Sequence, residues 1–296
     1  MREVKIAAIQ MKCEIQQEEN LKTAERLVRE SAANGANVIL LPELFDRWYF
    51  CQQRRYDFYS YALPLNEHPN IVMGKRLAEE LGVVLLVSFY EKDGNVPYNS
   101  LACINTDGNV LGVYRKTHIP DDHYYQEKFY FTPGNSGFRV FDTEFGKLGI
   151  GICWDQWFPE TARCLALNGA EILFYPTAIG SEPILGVDSM PHWRRVMQGH
   201  AAANLMPVIA ANRFGEETVE PSPENSNQSS SLMFYGSSFM TDETGDIIAS
   251  ASRDKEEILY ATYDLDALQQ ARFEWGLFRD RREECYGRIA GKEQEH

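Results

Sequence analysis

The stretch LGIGICWDQWFPETARCLALNGAEILFY, residues 148–175, contains a complete strand–helix–strand unit. Residues 148–152 form a short run rich in apolar residues, which predicts a buried strand that delivers Cys153 at its carboxyl end. Pro159 predicts the first turn of the following helix, because proline fits that position without losing a hydrogen bond. Residues 172–175 predict the next buried strand. Such a unit is typical of a layered α/β fold.

The same alternation of strands and helices continues on both sides of this unit. Short turns such as Asp107-Gly108 join some neighbouring strands, and only antiparallel pairs permit such tight connections. We therefore expect mixed sheets instead of a purely parallel set. The further predicted strands are residues 4–10, 38–41, 83–90, 99–104, 110–114, 138–141, 208–211, 258–263 and a pair within 239–250, and the further helices are residues 18–34, 71–81, 192–204 and a helix after residue 263.

Length and composition predict one globular domain. The chain has 296 residues, of which 44% are hydrophobic and 24% are charged, and these values are ordinary for a chain with a sizeable core. No internal repeat or linker-like segment divides the sequence, so we expect a single domain over residues 1–296. Two loops stand out, a long structured one at residues 116–137 and a polar, mobile one at residues 222–231.

The charge of the chain argues against several classes of partner. Lys and Arg total 29 and Asp and Glu total 43, which gives a formal net charge of −14. A field of this sign repels phosphate backbones and anionic membrane surfaces, so we expect no nucleic acid and no membrane as partners. No apolar run approaches the roughly 20 residues that span a bilayer. The short apolar stretch at residues 1–12 is not followed by a small-residue cleavage site, so we expect no leader peptide.

The cysteines of the chain are scattered and form no CxxC pair. In a chain of this size the pattern favours reduced thiols, and it predicts a cytoplasmic protein. Neither cysteines nor histidines show the spacing of metal ligands, so we expect no metal and no organic cofactor. The six cysteines are Cys13, Cys51, Cys103, Cys153, Cys164 and Cys285.

Three predicted strands are each followed by a reactive side chain, Glu43, Lys116 or Cys153. Ligands of open α/β sheets gather outside the carboxyl ends of the strands. A thiol with an ordinary pKa of about 8.5 needs a base or a cation to become a nucleophile. Glu43 is a candidate for that base, while Lys116 and the backbone N–H of Trp154 are candidates for holding an oxyanion. Taken singly, each residue also has an ordinary structural explanation; a buried thiol, for example, packs as a small hydrophobe.

The sequence around these three residues resembles the nitrilase superfamily of carbon–nitrogen hydrolases, and the similarity extends along almost the whole chain. The resemblance implies a four-layer αββα sandwich of mixed sheets and a catalytic triad of Glu43, Lys116 and Cys153. It also implies a supporting carboxylate in the loop after the lysine, here Glu127, although a glutamate in a charged loop also serves as a solvated ion pair. A homodimer or larger homo-oligomer is implied too, with a C-terminal arm from about Trp275. The matching segments are PEL at residues 42–44, YRKTHIP at 114–120 and GICWDQWFPE at 151–160.

Within that superfamily, the chain is most similar to the N-carbamoylputrescine amidases. This resemblance implies that a small cationic carbamoyl-amine is hydrolysed to putrescine, ammonia and carbon dioxide, through a thioester-type intermediate on the cysteine, as a step in polyamine synthesis. Another amidase, a nitrilase or a ureidopropionase-like enzyme is an alternative, as is a non-catalytic assembly protein on the same scaffold. The segments that carry the similarity are QEKFYFTPG at residues 126–134, CWDQWFPE at 153–160, YPTAIGSEP at 175–183 and HWRRVMQGHAAAN at 192–204.

The ammonium group of such a substrate requires a carboxylate, because a desolvated cation without a partner is costly. We favour Glu182 and Asp188, which follow the strand at residues 172–175. Asp155 is a further candidate, and Tyr130 is a candidate for contact with the substrate tail. Each acid has an alternative role in a salt bridge with a nearby arginine. The remaining candidates are Asp46, Glu160, Trp48, Trp154 and Trp157.

Overall fold

The computed structural model describes residues 1–181 and 186–291, except for the side chain of Ala290. The strands are β1 (Glu3–Lys12), β2 (Val38–Leu40), β3 (Val84–Asp93), β4 (Val96–Ile104), β5 (Val110–Arg115), β6 (Val140–Thr143), β7 (Gly146–Ile150), β8 (Ile172–Thr177), β9 (Val208–Val219), β10 (Ser230–Tyr235), β11 (Phe239–Thr241), β12 (Ile247–Ser250) and β13 (Glu257–Asp264). The α-helices are α1 (Gln17–Ala33), α2 (Pro69–Leu81), α3 (Pro159–Leu167), α4 (Met190–Asn204) and α5 (Leu265–Trp275).

The strands form two sheets that share a seam. The first sheet has the order β13-β1-β2-β3-β4-β5, and the second has the order β6-β7-β8-β9-β11-β12. At the seam, the ends of β1 and β9 pair in parallel, with Met11 beside Arg213 and Lys12 beside Phe214. β10 pairs antiparallel with the second half of β9. Both sheets are mixed, because parallel pairs such as β2–β3 and β8–β9 stand beside antiparallel pairs such as β3–β4 and β6–β7.

Apolar side chains place the two sheets and the helices in four layers. The sheets face each other across an inner core that includes Ile6 and Leu40 of the first sheet and Ile150 and Phe174 of the second. α1 and α2 cover the outer face of the first sheet, and α3 and α4 cover the outer face of the second. Along β1, Ile6 belongs to the inner core and Ala7 to the outer one, as expected of a strand buried on both faces. The predicted four-layer αββα sandwich is confirmed.

The strands that precede the candidate residues point toward one edge of the fold. β2 runs parallel to β1 and β3, and β5 has the same direction because two antiparallel pairings separate it from β3. β7 and β8 run parallel to β9, which is parallel to β1 at the seam. The segments after β2, β5 and β7 are therefore presented at the same edge, where open α/β sheets bind their ligands.

β9 is longer than its sequence pattern predicts. The apolar run ends at Ala211, but the strand continues to Val219 through Asn212, Arg213 and Glu217. These three polar side chains are buried, and an Arg213 nitrogen lies 3.0 Å from a Glu217 oxygen. Hydrophobic periodicity predicts strands from their apolar residues, so it misses a strand whose interior contains an ion pair.

The polar segment at residues 222–231 contains regular structure, in contrast to the predicted loop. It includes a 3-10 helix, Pro223–Asn225, and the start of β10 at Ser230. The side chain of Asn225 is buried and donates to Gln53 Oε1 at 2.9 Å and to two backbone carbonyls. Polar side chains here form hydrogen bonds with the backbone of a compact turn. The same polar composition is also typical of mobile loops, which is why the sequence predicts one.

After α5, two short 3-10 helices follow, Glu283–Cys285 and Gly287–Ala290. The arm predicted from about residue 275 stays a prediction. Across the two described ranges, no helix is both long and apolar enough to cross a bilayer. The six cysteines all fall within these ranges, and each is a free thiol.

Candidate active site

Cys153 stands at a sharp turn between a strand and a short helix. β7 ends at Ile150, and a 3-10 helix, Cys153–Trp157, begins three residues later. The φ angle of Cys153 is 42°, in the left-handed region that non-glycine residues rarely adopt. Backbone strain of this kind clusters at functional sites, because the surrounding structure must hold it. The thiol is 6% exposed, and its Sγ lies 3.9 Å from the carbonyl oxygen of Ala178.

Three ionisable side chains form a buried row with Lys116 in the middle. The lysine Nζ donates to Glu43 Oε1 at 2.8 Å and to Glu127 Oε2 at 2.7 Å. Glu43 lies in the turn after β2, Lys116 directly follows β5, and Glu127 opens a short 3-10 helix in the long loop. All three are fully buried, and their charges act on the Cys153 thiol. The structure thus brings the predicted triad and its supporting carboxylate together.

Two further side chains orient the carboxylates, and no sequence motif predicts either of them. Asn99 Nδ2 donates to Glu43 Oε1 at 2.7 Å, and the Asn99 carbonyl accepts from the backbone N–H of Lys116 at 2.9 Å. The Tyr49 hydroxyl donates to Glu127 Oε1 at 2.5 Å. Glu43 Oε2 is left buried without a hydrogen-bond partner among the described residues. One oxygen of Glu43 is therefore free to accept a proton.

The short helix at the nucleophile also supplies backbone donors. Its first internal hydrogen bond runs from the Asp155 N–H to the Ile152 carbonyl at 3.0 Å. The N–H groups of Cys153 and Trp154 precede that bond, and such groups at the start of a helix lack an acceptor within it. The Trp154 N–H stays a predicted oxyanion donor.

Asp155, a predicted substrate ligand, is bound to the protein through both of its carboxylate oxygens, and its role stays a prediction. Its buried carboxylate accepts from the Tyr114 hydroxyl at 2.7 Å and from the Ile152 N–H at 2.9 Å. It also accepts from the His118 N–H at 2.9 Å and lies 2.7 Å from the His118 ring nitrogen Nδ1. These contacts tie the loop after the lysine to the turn of the thiol and leave the carboxylate fully engaged with the protein.

The profile of the family described as Carbon-nitrogen hydrolase matches residues 5–273 of this sequence. The chain belongs to the carbon–nitrogen hydrolase family. The N-carbamoylputrescine amidase of Arabidopsis thaliana is 54% identical to it over 286 residues, which cover 96% of this chain and 94% of that protein. The citrullinase of Francisella tularensis is 52% identical over 293 residues, which cover 99% and 100%. The crystal structure of a carbon-nitrogen hydrolase from Helicobacter pylori superposes with a TM-score of 0.87 at 38% identity, covering 97% of this chain and 98% of that one.

Membership of this family makes the chain a hydrolase of amide-type C–N bonds. The predicted similarity to the nitrilase superfamily and to the N-carbamoylputrescine amidases is confirmed. The roles of the individual site residues stay predictions.

The buried site of this hydrolase carries more negative than positive charge. Burial raises the pKa of Cys153 well above its ordinary value, Glu43 raises it further, and Lys116 opposes both. At rest Cys153 is therefore a thiol, which must give its proton to a base before it can act as a nucleophile. Burial alone lowers the pKa of Lys116, but Glu127 and Glu43 reverse this and raise it well above its ordinary value. One ammonium between two ionised carboxylates leaves a net negative charge beside the thiol.

The predicted substrate-binding residues lie in different environments. Asp188 is half exposed and pairs with Arg253 at 2.6 Å. Tyr130 is buried in an aromatic cluster, and its hydroxyl donates to the Gln53 carbonyl at 2.7 Å. Tyr130 therefore packs in the interior, and its contact with the substrate tail stays a prediction. Glu182 lies outside the described residues.

The remaining candidates divide between interior and surface. Asp46 is buried and pairs with Arg47 at 3.1 Å, whereas Glu160 is exposed in the first turn of α3. The ring of Trp154 is 39% exposed and lies 6.3 Å from that of Trp157, so it offers aromatic surface beside the nucleophile. In the part of the chain that the structure describes, no group of three or more His, Cys, Asp or Glu side chains is arranged to hold a metal ion.

The activity of the hydrolase is expected to fall as the pH drops through about 6. Burial raises the pKa of Glu127 to about 6, with Lys116 opposing and Glu43 adding to the effect of burial. When Glu127 takes up a proton, Lys116 keeps only Glu43 as a counter-charge, and Glu43 becomes a weaker base for the thiol. The measurement is kcat from about pH 5 to about pH 9. A flat profile below about pH 7 would contradict this expectation.

The stability that Glu127 contributes to the fold rises as the pH falls, whereas the activity is expected to fall. In the unfolded chain this carboxyl titrates at its ordinary value of 4.5, below its pKa in the fold. Between these two values the folded protein binds the proton more tightly, so acidification strengthens folding through this group. A loss of activity in that window is therefore not unfolding caused by Glu127. A thermal melt at each pH provides the control.

Proposed function

We propose that this hydrolase converts N-carbamoylputrescine and water into putrescine, ammonia and carbon dioxide. The high identity to proteins named N-carbamoylputrescine amidase supports the proposal. The observation that carries it is the charge of the buried catalytic set, in which Glu43 and Glu127 face the single ammonium of Lys116. A cationic tail near this set is attracted, and an anionic tail is repelled.

In the first half of the reaction, Cys153 attacks the carbamoyl carbon. The free Oε2 of Glu43 accepts the thiol proton. Lys116 and the Trp154 N–H stabilise the oxyanion of the tetrahedral intermediate. One C–N bond then breaks, Glu43 returns the proton to the departing nitrogen, and the carbon stays bound to sulfur as a thioester-type intermediate.

In the second half, water replaces the departed amine. Glu43 takes a proton from the water as it attacks the carbon, and the C–S bond breaks with return of that proton to the sulfur. The carbamate that leaves the site loses carbon dioxide and frees the remaining amine. Glu127 keeps Lys116 in place throughout, through the bond of 2.7 Å between them.

Citrulline is a second candidate substrate, because it carries the same carbamoyl-amino group on a chain that ends in both an ammonium and a carboxylate. The relative named citrullinase supports this alternative. The ion pair of Asp188 and Arg253 offers one charge for each of these groups. Ser189, the residue after Asp188, donates from its Oγ to the Gly180 carbonyl at 3.4 Å. Gly180 is two residues from Ala178, whose carbonyl accepts from the Cys153 thiol.

A series of ureas that differ only in the tail tests the proposal. N-carbamoylputrescine is expected to exceed butylurea, its uncharged counterpart, by at least about 100-fold in kcat/KM, because butylurea lacks the ammonium that the negative charge of the site attracts. N-carbamoyl-β-alanine, with an anionic tail, is expected to be the poorest substrate. The measurement is ammonia release by the purified protein.

Matched variants identify the residues that read the tail. Asp188→Asn is expected to raise KM for N-carbamoylputrescine and leave butylurea unaffected, while Arg253→Gln affects citrulline. Equal kcat/KM for N-carbamoylputrescine and butylurea would refute the proposed substrate. A kcat/KM for citrulline above that for N-carbamoylputrescine would select the second candidate.

A further inference from the structure

Arg213 is a buried cation that the catalytic steps above do not use. It lies on β9 at the seam with β1, and its side chain is fully buried. Its Nη2 donates to the carbonyl oxygens of Glu43 and Leu44, both at 2.8 Å. Its Nη1 donates to the Arg47 carbonyl at 3.1 Å and to Glu217 Oε1 at 3.0 Å. A single guanidinium thus gathers three carbonyls of the turn that carries Glu43.

Glu217 binds the far end of the same turn, at Tyr49. Its Oε2 accepts from the backbone N–H of Tyr49 at 2.6 Å, while its Oε1 accepts from Arg213. The hydroxyl of Tyr49 in turn donates to Glu127. The ion pair is therefore connected to Glu43 through backbone carbonyls and to Glu127 through Tyr49. Glu43 and Glu127 are the two carboxylates that accept hydrogen bonds from Lys116.

The turn between these anchors depends on outside contacts for its shape. Leu44 has a φ of 46°, in the left-handed region that is unfavourable for leucine. Its N–H donates to Ser88 Oγ at 2.9 Å, and its carbonyl accepts from Arg213. If the guanidinium is lost, three carbonyls lose a donor inside the protein, and the strained turn is free to relax. Glu43, the residue before Leu44, then moves with it.

We propose that the Arg213–Glu217 pair is a positioning device that sets the separation of Glu43 and Glu127 around Lys116. Burying two charges is costly, and apolar residues of similar volume often serve stability equally well, so the pair needs another reason to be there. Its contacts with both ends of the catalytic turn supply that reason. The pair acts through Glu43 and Glu127, and the inference rests on the roles proposed for them above.

The first test compares Arg213→Lys with a matched control, Arg272→Lys. Lysine keeps the charge of Arg213 but lacks the planar fork that reaches several carbonyls. Arg272 also donates to backbone carbonyls, those of Ala170 at 3.0 Å and Leu205 at 3.2 Å, at the amino-terminal end of β8, away from the thiol. Arg213→Lys is expected to lower kcat by about 100-fold with KM changed by less than about threefold, and Arg272→Lys to keep kcat within about twofold.

The second test uses Glu217→Gln, which keeps an oxygen for the Tyr49 N–H but removes the charge that pairs with Arg213. We expect a fall in kcat of about tenfold and a matching fall in the rate at which iodoacetamide alkylates Cys153, because a displaced Glu43 is a poorer base for the thiol. In a Tyr49→Phe background, the same change is expected to cost clearly less, because both changes then disturb the same contact with Glu127.

Several results would overturn the inference. A kcat within about twofold of wild type for folded Arg213→Lys or Glu217→Gln is one, and an equal loss in Arg272→Lys is another. Strictly additive effects of Glu217→Gln and Tyr49→Phe would also contradict it. If Arg213→Lys does not fold, Glu217→Gln decides the question. Wild-type activity in Cys153→Ala would instead refute the proposed catalytic roles, and equal kcat/KM for N-carbamoylputrescine and butylurea would refute the proposed substrate, so these failures are distinguishable.

Discussion

Replacing Cys153 with alanine is expected to abolish the release of ammonia and putrescine from N-carbamoylputrescine, with a loss in kcat of at least about 10⁴-fold. In the proposed reaction the thiol forms the covalent bond to the carbamoyl carbon, so the two-step reaction has no first step without it. The fold should tolerate the change, because among the residues that the structure describes the sulfur makes a single long polar contact, with the Ala178 carbonyl at 3.9 Å. Both products are quantified in the same reaction, beside the wild-type protein.

Cys164→Ala provides the matched control for this experiment. Cys164 is a partly buried free thiol on α3, outside the catalytic row, and its loss is expected to leave kcat unchanged. Alkylation by iodoacetamide should inactivate the wild type and slow down when substrate is present. Retention of more than about a hundredth of the wild-type kcat by Cys153→Ala would show that another group is the nucleophile.

Replacing Lys116 with methionine is expected to remove activity and to destabilise the fold by about 3–5 kcal/mol near neutral pH. Glu43 and Glu127 would then face each other in the interior without the ammonium that bonds to both. At least one carboxylate would have to hold a proton in the folded state, so its pKa would lie above that of the unfolded chain. The free energy of unfolding of the variant should therefore rise as the pH falls toward about 5.

A second variant separates the charge of the site from its chemistry. Adding Glu127→Gln to Lys116→Met removes one of the two unpaired carboxylates, and it is expected to restore part of the stability but none of the activity. Guanidinium unfolding followed by circular dichroism measures the first effect, and product release measures the second. A free energy of unfolding for Lys116→Met within about 1 kcal/mol of wild type near neutral pH would show that the buried row is not held by its charges.

Local patterns in the sequence were sufficient to predict most elements of the sandwich. Gly82 ends α2 with a φ of 64°, and Pro159 opens α3, as the sequence indicates. Buried strands such as β2 and β8 are predicted by short apolar runs in the sequence, since both of their faces pack against other layers. β9 is one exception, because Arg213 and Glu217 interrupt its apolar pattern inside the fold, and the start of β10 in the predicted loop is another.

The sequence also predicted the reactive residues, because each follows a strand and lies in a specific motif. The register of the β4–β5 hairpin offers a further signal for the site. Ser100 pairs with Arg115 across β4 and β5, so the residue before Ser100 faces Lys116. That residue is Asn99, a polar side chain at the start of the strand predicted over residues 99–104, and its amide donates to Glu43.

By itself, the sequence determined the α/β layers and the family, and it predicted the set of reactive side chains. These features depend on periodicity, turn residues and motifs, each of which lies within a few neighbouring positions. Only the tertiary structure decided which polar groups meet. Tyr49 and Glu127 are 78 residues apart, and Arg213 and Glu43 are 170 apart. A hydrogen bond across such a separation leaves no local pattern. It exists only once the two sheets have packed and buried its donor and acceptor together.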